Sequence, residues 1–173
     1  MRPLRCIRAS LLLTCAVAVS LPMALAQTPF RRDLTNKAAP SFVRMDLQGQ
    51  KVNLSAYRGR VVLLNFWATW CAPCLIEMPA FVSWQKQYSK AGLQVVGVSM
   101  DDDAPPVRRA YAKYRLNYPV VMGDAKLGEL YGGVLGLPVT YLIDRNGKIV
   151  KRYEGAVDLK QLEIEVKKLL AKK

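Results

Sequence analysis

The 173-residue chain contains no histidine. That absence removes Ser-His-Asp and Cys-His nucleophile arrangements. It also removes haem attachment, which needs a histidine directly after the second cysteine of a C-x-x-C pair; Leu75 stands there. Cysteine is almost as scarce. Of four in all, Cys6 and Cys15 fall within the first 26 residues, which leaves Cys71 and Cys74 for the rest of the chain. With no imidazole and no second cysteine pair, a four-ligand zinc site would have to be completed by carboxylates; neither a metal nor a cofactor is expected. Acidic residues number 13 against 26 basic ones, a net charge of +13. The basic residues are scattered (Arg31 and Arg32, Arg108 and Arg109, Lys151 and Arg152, Lys167 and Lys168) and form no stripe interleaved with aromatics, so nucleic acid is not an expected partner. A basic surface suits acidic partners or anionic lipid heads, or serves solubility alone. Internal repeats are lacking too.

The N-terminus has the three parts of a secretory signal peptide. Arg2, Arg5 and Arg8 precede an apolar run from Leu11 to Leu25, and Ala24-Leu25-Ala26 precedes Gln27. Cleavage is expected after Ala26. The alternative, an uncleaved membrane anchor, is disfavoured by the shortness of the run and by Pro22 within it. A lipoprotein site at Leu12–Cys15 is weaker still, because Thr14 precedes the cysteine and apolar sequence continues beyond it. Removing residues 1–26 takes away three arginines and leaves 147 residues at a net charge of +10. That is one domain, long enough to bury about two-thirds of its unfolded surface.

Residues 27–39 are polar and read as a flexible lead-in, followed by a domain over 40–173. Apolar and polar residues alternate around Gln48-Gly49, which predicts a strand, a turn and a second strand. Leu54–Arg60 reads as a turn of helix. Val61–Trp67 and Leu93–Met100 are continuous apolar runs rich in β-formers, hence buried central strands. Between them, Leu75, Met78, Phe81, Val82, Trp84 and Tyr88 recur at helical spacing over 72–90, with Pro79 inside the helix as an expected kink and Gly92 beyond its end. Asp101–Pro106 reads as a loop or cap, Val107–Leu116 as a helix, Tyr118–Met122 as a short strand and Ala125–Tyr131 as a helical turn. Two β-rich arms flank Arg145-Asn146-Gly147, the clearest hairpin. The C-terminal residues form an amphipathic helix with Leu159, Leu162, Val166, Leu169 and Leu170 inward. Helices on both faces of a mixed sheet make an α/β protein, a three-layer α/β/α sandwich with an N-terminal β-hairpin extension.

The stretch NFWATWCAPCLIEMP, Asn65 to Pro79, carries the chemistry. A bridge between residues three apart closes a very small loop and constrains the unfolded chain little, so a structural staple is a poor account of the pair. With zinc and haem set aside, thiol–disulfide exchange remains. Cys71 follows a buried strand and opens a helix, where unpaired N–H groups and the helix dipole favour thiolate over thiol. Cys74, one turn further in, suits the resolving thiol, and Pro73 stiffens the loop between them.

These features resemble the thioredoxin superfamily: WCAPC after NFWAT, Pro79 in the helix, and GLPVTYLID far downstream. FWATWCAPCLIEMP, the two-strand lead-in and the extra helix and strand between Ala104 and Met122 resemble its exported TlpA/ResA-like branch. The resemblance covers about Pro40 to Leu170. It implies a thioredoxin fold, a periplasmic location or a membrane anchor facing the periplasm, and a redox-active Cys71–Cys74 disulfide. It further implies reduction of client proteins with cysteine pairs, as in cytochrome c or copper-site maturation, with a membrane thiol as electron donor. By position Pro138, after Leu137, matches the family's cis-proline facing the disulfide; Trp70, Ala72, Pro73, Leu137 and Pro138 would shape the substrate site. Where thioredoxins carry a buried aspartate this chain has Asn65, which cannot shuttle a proton. Glu77, on the same helical face as Cys74, is then the expected proton carrier; a surface carboxylate near a helix N-terminus is the plainer alternative. Trp70 is expected as a lid, Trp67 as a second border or as core, Asp101–Asp103 as a solvated cap, and Gly132–Gly136 as the approach to Pro138. Competing functions are a disulfide oxidase or isomerase, a peroxidase, and a binding module without turnover. No histidine accompanies the Ala-Pro dipeptide to make a strong oxidant, and no separate peroxidatic cysteine is present.

Overall fold

The structure is a computed structural model that describes residues 32–172; the expected signal segment lies outside the described residues. Two continuous apolar runs form its centre, as the sequence predicts. Strand β3 (Val61–Trp67) and strand β4 (Leu93–Ser99) are buried along their whole length and pair in parallel, Val61 opposite Leu93 through Trp67 opposite Ser99. A parallel pair needs a crossover, and helix α1 (Ala72–Tyr88) supplies it. Helix α2 (Ala104–Lys113) leads on to β5 (Val120–Met122), parallel to β4. Helix α3 (Ala125–Leu130) precedes the hairpin of β6 (Val139–Ile143) and β7 (Ile149–Glu154), and α4 (Leu159–Ala171) closes the chain. The five-stranded order is β5-β4-β3-β6-β7, with β6 antiparallel to both neighbours. An N-terminal hairpin of β1 (Val43–Met45) and β2 (Lys51–Asn53) forms a second, two-stranded sheet.

The two faces of the sheet follow the period of two along each strand. Val61, Leu63 and Trp67 of β3 and Leu93 and Val95 of β4 point toward α1, α2 and α4, meeting Met78, Phe81, Val107, Leu162 and Val166. Val62, Leu64, Phe66, Val96 and Val98 point the other way, to Leu127 and Tyr131 and to Leu34, Phe42, Val52 and Leu54 of the N-terminal residues. The expected three-layer α/β/α arrangement and its hairpin extension are therefore present.

Two local expectations change. Helix α2 begins at Ala104, not Val107: Pro105 and Pro106 occupy its first turn, where no N–H is needed for the helix ladder. Helix α1 runs through Pro79, as the sequence predicts, and the missing N–H leaves the Leu75 carbonyl without its usual donor. The residues expected as a flexible lead-in are stitched down from Arg32 onward. Asn36 N–H donates to Ile149, Ile149 N–H to Lys37, and Ala39 N–H to Gly147, each at 2.8–2.9 Å, while Leu34 is buried in the core. A single apolar side chain and backbone pairing, neither visible in a polar composition, explain the difference. Arg32 N–H also donates to Gly132 O. A Cβ at Gly132 would stand 2.2 Å from Arg32 O, and its φ is +82°, so only glycine fits there.

Candidate active site

The strand register gathers four loops at one end of the sheet. Trp67 lies opposite Ser99, Phe66 opposite Val139, and Val139 opposite Glu154. The segments 68–71, 100–103, 133–138 and 155–158 therefore leave or enter the sheet side by side. From central β3 the chain adds β4 and β5 on one side and β6 and β7 on the other, a reversal of strand order of the kind where α/β proteins place ligands.

Cys71 is the N-cap of α1, and Cys71 and Cys74 form a disulfide with an S–S distance of 1.99 Å and a Cα–Cα distance of 5.3 Å. Cys71 N–H donates to Ala68 O, and Cys71 O accepts from Leu75 N–H, both at 3.2 Å. Pro73 lies in the first turn, and Ala72 is exposed. Cys71 retains 5% of its surface and Cys74 1%; the outer position is Cys71, as the helix geometry predicts. Trp70 is 70% exposed. It directly precedes Cys71 in the chain. Trp67 is core, 1% exposed, with its indole N–H unpartnered among the described residues. Leu137–Pro138 is a cis peptide bond, the backbone form expected at that position. Pro138 O accepts from Gly155 N–H at 2.9 Å.

Glu77 departs most from an ordinary carboxylate. Its position on the buried stripe of α1, with Cys74, Met78, Phe81 and Trp84, leaves it 3% exposed. One oxygen, Oε1, accepts from Val157 N–H at 3.1 Å, and Oε2 has no partner among the described residues. Burial pushes the carboxyl from 4.5 up to about 7, against the opposing pull of the Val157 hydrogen bond. The surface-carboxylate alternative is excluded by this burial. The segment 155–157 thus ties Glu77 to Pro138, through Val157 at one end and Gly155 at the other. Among the described residues no group of three or more Cys, Asp or Glu side chains is placed to hold a metal ion.

The Redoxin profile matches residues 34–170. The chain belongs to the Redoxin family. It is 37% identical over 135 residues to the thiol-disulfide oxidoreductase ResA of Bacillus thuringiensis subsp. konkukian, spanning 77% of each chain. It is 34% identical over 161 residues to the protein of that name from Geobacillus thermodenitrificans, spanning 87% of this chain and 92% of the relative. Its fold is similar to the crystal structure of a thiol:disulfide interchange protein of the thioredoxin family from Chlorobium tepidum TLS, with a TM-score of 0.73 and 28% identity, covering 81% of this chain and 100% of that one. This Redoxin is accordingly a thiol–disulfide oxidoreductase.

The Redoxin site also uses a residue that sequence reasoning misplaced. Asp101 is no solvated cap but a buried carboxylate, 8% exposed. It accepts from Thr69 N–H at 3.0 Å, from the Thr69 hydroxyl at 2.5 Å and from the Ser99 hydroxyl at 2.8 Å. Asp103 takes the N-cap position of α2, without a side-chain cap bond. Since Trp67 pairs with Ser99, Thr69 and Asp101 each stand two residues past paired strand ends. The carboxylate latches the loop that presents Trp70 and Cys71 to the end of β4. Asp101→Ala strands three donors at once and is expected to cost about 3 kcal/mol of folding stability, read as a lower urea midpoint at unchanged slope. A midpoint equal to the parent's would mean the latch bears no load. Asn65 is buried and donates to the Thr140 hydroxyl at 2.9 Å, so its amide is committed to the sheet.

Proposed function

We propose that the protein is an exported reductase, periplasmic or held at the membrane facing the periplasm, that returns client disulfides to dithiols. The observation that carries this reading is the Cys71–Cys74 disulfide at the mouth of α1, one turn from a buried carboxyl that titrates near neutrality. In the dithiol form Cys71, beside the helix N-terminus, is the thiolate nucleophile. It attacks one client sulfur; the client S–S bond breaks, and the leaving client sulfur takes up a proton. Cys74 then passes its proton to Glu77 and attacks the Cys71 sulfur; the bond between Cys71 and the client breaks, and the departing client sulfur takes up the proton held by Glu77. The client gains two electrons and two protons, and the chain is left as the disulfide. A membrane dithiol donor restores it, since the exported compartment is oxidising. Trp70, Ala72 and Pro73 on one side, and Leu137 and Pro138 on the other, border the client's reacting cysteine. Maturation of cytochromes c or copper sites is the client class that fits such a reductase.

Equilibration against thiol buffers tests the direction. The couple is expected to be more negative than about −220 mV, in the range of reducing rather than oxidising members of this chemistry. A potential near about −120 mV would make the protein an oxidant and end the reductase reading. Cells carrying Cys74→Ser should accumulate clients as stable mixed disulfides on Cys71, which names them directly.

A further inference from the structure

An open cleft of about 280 Å³ lies between the start of α1 and the face of α2. Thr69 and Leu75, which bracket Cys71 and Cys74 in the chain, form one wall; Pro106, Arg109, Lys113 and Tyr114 form the other. Arg109 and Lys113 are one helical turn apart on α2 and both exposed. Neither is in any of the ion pairs among the described residues. Lys113 Nζ lies 5.4 Å from the Tyr114 ring centroid, and no acidic residue lines the cleft. The neighbouring Arg108 is occupied elsewhere, donating to Leu47 O. The nearest acids in sequence are spent or displaced: Asp101 is held by Thr69 and Ser99, and Asp102 and Asp103 stand before the helix.

We propose that this cleft is a client-docking subsite that selects polypeptides bearing acidic side chains beside the cysteine under attack. The inference rests on the reading of Cys71 as the sulfur that engages clients. A client joined to Cys71 must run its flanking residues over one side of the α1 mouth. On this side it meets the cations Arg109 and Lys113 beside the apolar Leu75, Pro106 and Tyr114. Such a surface attracts carboxylates from solution and holds them against the wall, raising encounter rate and fixing register. The methylenes of the same acidic side chains lie against the apolar residues.

Two synthetic peptides with a Cys-x-x-Cys disulfide, identical except for two glutamates or two glutamines beside the first cysteine, provide the test. At low ionic strength the wild-type chain is expected to reduce the acidic peptide about tenfold faster in kcat/KM. The ratio should fall toward one at about 500 mM salt, where screening is complete within a few ångströms. Arg109→Glu with Lys113→Glu should bring the ratio to one or below, while Lys51→Glu with Lys148→Glu, an equal change in net charge elsewhere, should retain it. A ratio of one in the wild type overturns the proposal, as does equal loss in both double variants, which would make the preference a matter of bulk charge. If the ratio is one while the cleft variant alone loses binding to phosphatidylglycerol vesicles, the cleft faces lipid and the proposal falls. Absence of turnover on a small neutral disulfide would remove the reductase reading itself, a failure separate from the loss of peptide preference.

Discussion

Cys71→Ser is expected to reduce turnover of protein disulfides to the uncatalysed background, a loss of about 10³-fold or more. A hydroxyl at that place has no accessible anion at neutral pH and cannot attack sulfur. Cys74→Ser is expected to abolish turnover as well, but differently. Its Cys71 can still attack, so one equivalent of client becomes attached per chain and stays attached, because nothing displaces it. Insulin reduction followed by turbidity reads the first result, and intact-mass analysis of the adduct reads the second. The asymmetry follows from the structure: Cys71 is the outer residue at the helix mouth, and Cys74 is the covered one. If instead Cys74 carried the adduct in the Cys71 variant and turnover persisted, the assigned order of the sulfurs would be reversed.

The second large effect concerns Glu77 and pH. Its carboxyl titrates at about 7 in the folded chain, against an ordinary 4.5. A carboxyl raised in this way has an unfavourable sign: below about pH 4.5 it is protonated in both states and costs nothing. Between about 4.5 and 7 the unfolded chain sheds the proton while the folded chain retains it, so stability declines as pH rises through that window. Above it the full penalty stands, on the order of 3 kcal/mol for the oxidised form. Glu77→Gln keeps an oxygen for the Val157 N–H and carries no charge. It is expected to be more stable than the parent by about 2 kcal/mol at pH 8, with little difference at pH 4, measured by urea denaturation of the disulfide form. Catalysis moves the opposite way. The rate of client release should lose its inflection near pH 7 and fall by about 10²-fold, because the resolving thiol no longer has a partner for its proton. Rates with an unchanged pH profile would show that Glu77 is a passive buried acid, and parallel stability curves would show that its carboxyl is not raised. Stability given up for a proton carrier is the pattern of a functional site.

How far the sequence could be read depended on the range of the forces involved. Val61–Trp67 and Leu93–Ser99 were legible as central strands because burial on both faces leaves a continuous apolar run. The β6–β7 hairpin was legible because Asp144 and Gly147 form its turn locally: Asp144 accepts from Asn146 and Lys148 N–H, and Gly147 has a φ of +75°. The place of Cys71 at a strand-to-helix junction followed from those same local patterns. What stayed hidden was pairing across distance. Asp101 looked like a cap because its neighbours are acidic and proline follows; only the parallel register of β3 and β4 brings it to Thr69. Had that register been written out, residues two past each strand end would have been candidates for a latch. Glu77 was marked by chemistry, and its burial was within reach too, since 74, 77, 78, 81 and 84 form one helical stripe. The hydrogen bond from Val157, eighty residues on, was not.

The N-terminal residues lie against both borders of the main sheet. Leu47 N–H donates to Val120 O, and Asp46 bridges to Val121 on the outer side of the three-residue β5; Ala38 bridges to Lys148 at the start of β7. An open sheet edge invites extended chains to add as another strand. Here the backbone groups at those places are already spoken for. Beside β5 and at the entry to β7 an extended chain therefore finds the pairing positions taken, which limits aggregation by strand addition at those places.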